Sequence, residues 1–368
     1  MFRIQLFDNQ AKIAKHLLAI FSFVIFFPFS AAHSENNGVS LAAKSYASEA
    51  IYNIKHKQTQ IVVGSIDKNK RSVNLLVSYP VGDKLGQQAQ AHVADNQQYP
   101  LIVFSHGHAL DNKSYQNLTD YWVSRGFFVV APLHLDSGGD LNAVSLISKK
   151  FGNDWIAASR LLDLSAVINQ IDVIVSSLSD FKGSVLTDKV IAAGHSYGAL
   201  SSQQLAGAML ERNGDSIYPI PESLSNSKVA AVVAISPPGL MKDHITEATW
   251  EGFKMPQLVV TGPNDFFPFI WPNYEDHFIS YLTADKGHNY LLTLDQMDHY
   301  LGNLIGRLER SQTPQTLALK NLQTVSMSFI GHYLSQPLLT EVDLESTKLL
   351  EDFEMISEKE GVLKFEHR

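Results

Sequence analysis

The feature that most narrows the fold is a series of short, continuously apolar runs separated by stretches with helical spacing. Residues 100–105, 127–132, 189–193, 229–235, 257–261 and 289–294 are such runs. A strand that reads apolar at every position is buried on both faces, which is the mark of a parallel sheet covered by helices. Between the runs, residues 115–125, 155–178, 199–210 and 314–334 carry apolar side chains at helical spacing, as with Leu161, Leu164, Ile168, Ile171 and Ile174. Two earlier runs, 60–63 and 73–79, are joined by the polar turn 67–70 and predict a hairpin. Alternating strands and helices predict an α/β fold, with a mostly parallel central sheet and helices on both faces. No repeat or clear linker divides the chain, so residues 59–368 are expected to form one domain after an N-terminal extension, 33–58. Loop insertions are expected near 211–227 and 241–253.

Composition excludes several roles. Of 368 residues, 45% are hydrophobic and 18% charged, the balance of a globular protein. The net charge is −8, and no dense Lys/Arg run follows the N-terminus, which argues against nucleic acid or an anionic membrane surface as a partner. The chain has no cysteine, so thiol catalysis, disulfides and lipid-modified cysteine anchors are excluded.

Residues 1–32 differ from the rest. Arg3, Lys12 and Lys15 precede the apolar stretch 17–29, and Ser30-Ala31-Ala32 offers small residues at a cleavage point. That is the pattern of a secretory signal peptide. Thirteen apolar residues are short beside the roughly 20 that span a bilayer. The expectation is export to the periplasm or medium, with no stable membrane anchor after cleavage.

In open α/β sheets, ligands bind beyond the carboxyl ends of the strands. Past run 100–105 stand His106-Gly107-His108; past 189–193 stand Gly194-His195-Ser196-Tyr197-Gly198. Asp265 follows run 257–261, and Asp298-His299 follow 289–294. The pentapeptide reads G-x-S-x-G, a match that arises by chance in roughly one chain in ten of this length. Its place between a strand and a helix is what a nucleophile elbow needs, with the serine oxygen thrust out at a sharp turn. Ser, Asp and His then occur in the chain order Ser196, Asp265, His299.

These residues resemble the α/β-hydrolases, and among them the dienelactone-hydrolase-like and platelet-activating-factor-acetylhydrolase-like serine esterases. Phe104-Ser105-His106-Gly107 resembles their oxyanion loop, 194–198 their elbow, and Arg160-Leu161-Leu162-Asp163 an Arg-x-x-Asp found ahead of it. The similarity covers about residues 59–334. It implies a carboxylic ester hydrolase working through an acyl-enzyme. Ser196 would attack, His299 would take its proton, and Asp265 would orient the imidazole. The backbone N–H groups of Tyr197 and His108 would hold the oxyanion.

Competing residues are weaker. His288 precedes its strand, Asp298 adjoins His299, and Asp295 and Asp276 are expected to be solvated. His106 is expected to order its loop, and neither a metal nor any other cofactor is expected. Arg160 and Asp163, three apart on a helix, are expected to form a surface pair, with a structural pair supporting the site loops as the second reading. The aromatic segment 266–274 either walls a pocket or plugs a loop against the core. The substrate is expected to be a small-molecule or lipid-like ester. A peptidase, an acyltransferase and a non-catalytic binding protein are the alternatives.

Overall fold

The computed structural model describes residues 52–64, 70–82, 97–138, 141–242, 244–308, 312–334, 356 and 359–368. The expected signal peptide, residues 33–51 of the N-terminal extension and residues 67–69 of the expected turn lie outside them. Among the described residues a single nine-stranded sheet runs in the order β1-β2-β4-β3-β5-β6-β7-β8-β9. Its strands are β1 (Asn53–Gly64), β2 (Lys70–Val81), β3 (Gln98–Ser105), β4 (Phe128–Pro132), β5 (Ser184–His195), β6 (Val229–Ile235), β7 (Gln257–Thr261), β8 (Asn289–Leu294) and β9 (Val362–His367). From β4 to β8 all neighbours are parallel. The β1–β2 and β2–β4 pairs at one edge, and β8–β9 at the other, are antiparallel.

The apolar runs behave as double-sided strands should. Ile102 and Phe104 of β3 and Ile191 and Ala193 of β5 face one core, with Leu118, Trp122 and Phe329. Their neighbours Leu101, Val103, Val190 and Ala192 face the other, with Leu161, Leu164 and Leu200. Helices α1 (Gln116–Val123) and α7 (Thr316–Leu334) therefore cover one face. Helices α3 (Asn153–Asn169) and α5 (Tyr197–Leu205) cover the other; α2 (Leu141–Phe151) precedes α3, α4 (Ile171–Ser176) follows it, and α6 (Ile279–Thr283) precedes β8.

Local differences from expectation have local causes. Strand β1 begins at Asn53, six residues before the expected domain start, because its register with β2 runs unbroken from Asn53–Val81 to Gly64–Lys70. The long helix expected at 155–178 divides at Gln170, whose φ of −110° and ψ of 20° leave the helical region. The helix after the elbow stops at Leu205, and Gly207 turns the chain at a φ of 118°. In the 241–253 insertion, Trp250 is wholly buried on a 3₁₀ turn, so this segment is part of the core.

Candidate active site

The site begins with a steric fact about two glycines. A Cβ on Gly194 would lie 2.3 Å from the carbonyl oxygen of Gly198, and one on Gly198 would lie 2.0 Å from that of Ser105. Only glycine permits β5 to fold back so tightly onto α5 and against the end of β3. Between them Ser196 adopts φ 55° and ψ −125°, a strained conformation for a non-glycine residue. Its amide donates to Ile235 at 2.9 Å, fixing the turn against the end of β6. Tyr197 opens α5, so its N–H is among those a helix leaves without an intrahelical acceptor.

Asp265 and His299 come from the loops after β7 and β8. His299 Nδ1 lies 2.7 Å from Asp265 Oδ1, and Thr261 donates to the other oxygen, Oδ2, at 2.9 Å. A carboxylate only accepts, so His299 carries its proton on Nδ1 and presents Nε2 for base chemistry. Asp265 is wholly buried. Burial pushes its pKa up, but the adjacent His277 and His299 and the bond from His299 outweigh that and hold it well below the usual carboxylate range.

A directional hydrogen-bond chain joins the three loops. His195 Nε2 lies 2.7 Å from the carbonyl oxygen of His299, so it must donate there. Its Nδ1 is then an acceptor, 2.9 Å from the Tyr115 hydroxyl, which in turn accepts from the Gly107 N–H at 3.0 Å. Burial lowers the pKa of His195 far below the ordinary value, keeping the ring neutral and this polarity fixed. The oxyanion loop, the elbow and the backbone of His299 are thereby one unit.

Arg160 supports the oxyanion loop from beneath. The expectation of a surface pair with Asp163 is wrong, because both side chains are wholly buried. Arg160 makes a bidentate pair with Asp136 at 2.9 and 2.8 Å. It also donates to the carbonyl of His106 at 2.7 Å and, more weakly, to that of Gly107 at 3.4 Å. Its guanidinium lies 4.7 Å from the centre of the Tyr197 ring. One cation thus touches Gly107, which precedes one expected oxyanion donor, and the side chain of Tyr197, the other. Asp136 also takes a bond from His108 Nδ1 at 3.0 Å, and the arginine's charge and these bonds hold it well below the carboxylate range against the upward pull of burial.

Asp163 belongs to a second buried set. His134 Nδ1 donates to it at 2.9 Å, while His134 Nε2 lies 2.9 Å from Ser105 Oγ. Arg71 pairs with the same carboxylate. His106 accepts from the His134 N–H at 3.0 Å and donates from Nδ1 to the Gly107 carbonyl at 2.7 Å. Burial lowers the pKa of both rings, so both are neutral.

The remaining sequence candidates are placed plainly. Asp298 Oδ1 accepts the N–H groups of Tyr300 and Gly302, Asp295 bonds Gln296, and Asp276 caps a 3₁₀ turn at Asn273. His288 bonds Tyr333 at the opposite end of β8. The aromatic segment divides: Phe267 packs edge-on against His299 at 4.7 Å and Trp271 is buried, whereas Phe269 is 81% exposed. Trp271 also lines an apolar cavity beside His108 and Tyr197, with Ile156, Pro238 and Ile245. A larger cavity bounded by α3, α5 and the 207–225 loop contains none of the triad candidates.

Sequence reasoning missed His134 and Asp136, although they follow β4 just as the other candidates follow their strands. It also missed His277, which sits on the 3₁₀ turn Tyr274–Phe278 with no motif around it. Asp265, His277 and His299 bring ligand-type atoms within 4.8 Å of one another. The 2.7 Å His299–Asp265 separation is nevertheless a hydrogen bond; two ligands on a tetrahedral zinc would stand ~3.4 Å apart.

Sheet order, covering helices, elbow and strand-end loops together define the class: the chain has the α/β-hydrolase fold. The sequence model of the chlorophyllase family matches residues 91–238, which span the oxyanion loop, Arg160 and the elbow. A ferulic acid esterase from Streptomyces cinnamoneus shares the fold at a TM-score of 0.53 and 16% identity, over 81% of this chain and 95% of that one. A protein assigned as a dienelactone hydrolase from Klebsiella pneumoniae subsp. pneumoniae superposes at 0.47 and 11% identity, over 76% and 100%. No curated protein matches the sequence.

Proposed function

We propose that this protein hydrolyses carboxylic esters through a Ser196–His299–Asp265 triad. The observation that carries the reading is the buried 2.7 Å His299–Asp265 bond beside a serine at φ 55° on a strand-to-helix elbow. His299 Nε2 takes the Ser196 proton as Oγ bonds to the ester carbonyl carbon. The negative charge that forms on the carbonyl oxygen is stabilised by the N–H groups of Tyr197 and His108. Collapse breaks the C–O bond, His299 protonates the departing alcohol, and water repeats the sequence on the acyl-enzyme to release the acid. The ferulic acid esterase that shares the fold supports an ester substrate.

The apolar cavity at Tyr197, Ile156, Pro238, Ile245 and Trp271 supports an acyl group without charge. A small-molecule or lipid-like ester fits this reading. Ser196→Ala should abolish both turnover of short p-nitrophenyl esters and labelling by a fluorophosphonate. Labelling that persists in this variant defeats the assignment; hydrolysis of an amide panel in preference to esters would make the protein a peptidase.

We also propose export directed by residues 1–32. Among the described residues no helix is long and apolar enough to cross a membrane. Mature protein beginning near His33 would support cleavage, and intact Met1 in the membrane fraction would refute it.

A further inference from the structure

A second histidine touches the carboxylate that orients His299. His277 Nδ1 lies 2.7 Å from the carbonyl oxygen of Pro237, in the loop after β6. A carbonyl oxygen only accepts, so Nδ1 must carry a proton. Nε2 then points at Asp265 Oδ1 from 3.3 Å, the same oxygen that accepts from His299. In a neutral His277 ring that nitrogen is bare, buried and without a hydrogen-bond partner, its lone pair facing an anionic oxygen. One proton on Nε2 turns the contact into a charge-assisted bond.

The charged and titratable groups around His277 are few. Asp265 comes from the β7 loop and His299 from the β8 loop; His195 stands behind them at the elbow, and Asp276 is its own neighbour on the turn. Phe267 and Trp271 close the remaining sides, with ring centres 6.3 and 5.4 Å away. Burial holds the pKa of His277 below the ordinary value and the charge of Asp265 offsets this only in part, so its protonation is tied to the same carboxylate that serves His299. Two rings sharing one oxygen titrate as a coupled pair.

We propose that His277 is a positioning residue that shares Asp265 with His299, and that its protonation on acidification extends activity to lower pH. The inference rests on the triad reading above. The sign follows from electrostatics. A cation at His277 neutralises part of the Asp265 charge and repels a proton arriving at His299. Activity therefore persists to lower pH than Asp265 alone would allow.

The test is the pH dependence of kcat/KM for a p-nitrophenyl ester in the wild-type chain and in His277→Gln, which keeps an amide near Asp265 but cannot become charged. The acid limb should move to higher pH by about 0.5–1 unit, a threefold to tenfold loss at a pH on the limb with the plateau far less affected. A coincident acid limb, or one displaced to lower pH, overturns the proposal whatever happens to the plateau. Should the variant not fold, ¹⁵N-histidine spectra of the wild-type chain decide. His277, assigned through its contacts with Trp271 and Phe267, should gain its Nε2 proton over the pH range in which activity falls. An Nε2 that stays bare throughout the folded range overturns it equally. Wild-type protein with neither ester turnover nor fluorophosphonate labelling would instead defeat the triad reading, a distinguishable result.

Discussion

The chain holds two serine–histidine–aspartate sets within one site, and the difference between them is what the proposed role of Ser196 rests on. One is Ser196 with His299 and Asp265; the other is Ser105 with His134 and Asp163. In the second, the hydroxyl, both ring nitrogens and the carboxylate form an unbroken series at 2.9 Å and 2.9 Å. On distances alone it is a finished triad. Yet Ser105 is wholly buried within β3, and Arg160 Nη1 donates to its oxygen from 3.3 Å. That oxygen already accepts from Arg160 and gives its proton to His134, so no substrate carbonyl can reach it. Ser196 stands instead at a strained turn at the end of the sheet, beside the first free N–H groups of a helix. Both serines lie at strand ends, so it is the strained turn into a helix at Ser196, against the fully bonded hydroxyl of Ser105, and not the residue set, that sets the proposed nucleophile apart from the brace.

The sharpest way to break this comparison is to delete the two hydroxyls in turn. Ser196→Ala should lower kcat by about 10⁶, as expected when the nucleophile of a working triad is lost, with little change in thermal stability. Ser105→Ala should leave kcat/KM within about tenfold but cost about 1–3 kcal/mol in urea unfolding, because His134 and Arg160 each lose a buried partner. Equal losses of activity in the two variants would end the distinction drawn here.

Arg160 is next in size. Replacing it with Met leaves Asp136 buried without its cation, a change that costs about 3–5 kcal/mol, and removes the donor to the carbonyl of His106. Stability and kcat should fall together. An Arg160→Met chain as stable as wild type would show that Asp136 is satisfied by His108 alone.

The two carboxylates should also titrate in opposite senses. Asp265 has a pKa depressed in the folded chain. Its contribution to stability is present above the unfolded value, near 4, and is lost as pH falls through the folded one. Asp163 is the reverse. Burial raises it to about 6, and the nearby Arg71 only partly opposes this. Its contribution is full below about pH 4 and is lost as pH rises through about 6. Urea midpoints from pH 4 to 8 should therefore show the stability of Asp163→Asn gaining on wild type as pH rises, by at most about 3 kcal/mol. Asp265→Asn should gain on wild type only as pH falls towards 4 and below.

How much of this was legible follows the same division. The central strands and the chain order Ser196, Asp265, His299 were readable, because double-sided burial writes itself as unbroken apolar runs and the elbow has a steric signature in Gly194 and Gly198. Strand β9 was not: Val362–His367 is short and half polar, and its pairing with β8 decides it. Arg160 was misread because helix spacing ties it to Asp163, whereas the partner that matters, Asp136, lies 24 residues away after β4. Charged residues on a helix facing a buried polar layer look, in sequence, like charged residues facing water. His277 carries no local signal because its meaning lies in Pro237 and Asp265, on two other loops.

The smallest expected effect tests whether the catalytic set is held as one piece. Tyr115 accepts from Gly107 and donates to His195, which holds the backbone of His299. Tyr115→Phe keeps the ring, packed 4.8 Å from Phe104, and deletes only the oxygen. The Gly107 N–H and His195 Nδ1 then lose their partner, a cost of about 1–3 kcal/mol in stability. Because Gly107 precedes the proposed oxyanion donor His108, and His195 holds the backbone of His299, kcat should fall about threefold to tenfold while KM changes little. The Ser105 variant provides the contrast, since it loosens the brace without touching this chain. A Tyr115→Phe enzyme with wild-type kcat would mean that the three loops hold their positions independently, and that the serine set at the strand ends is organised by the sheet alone.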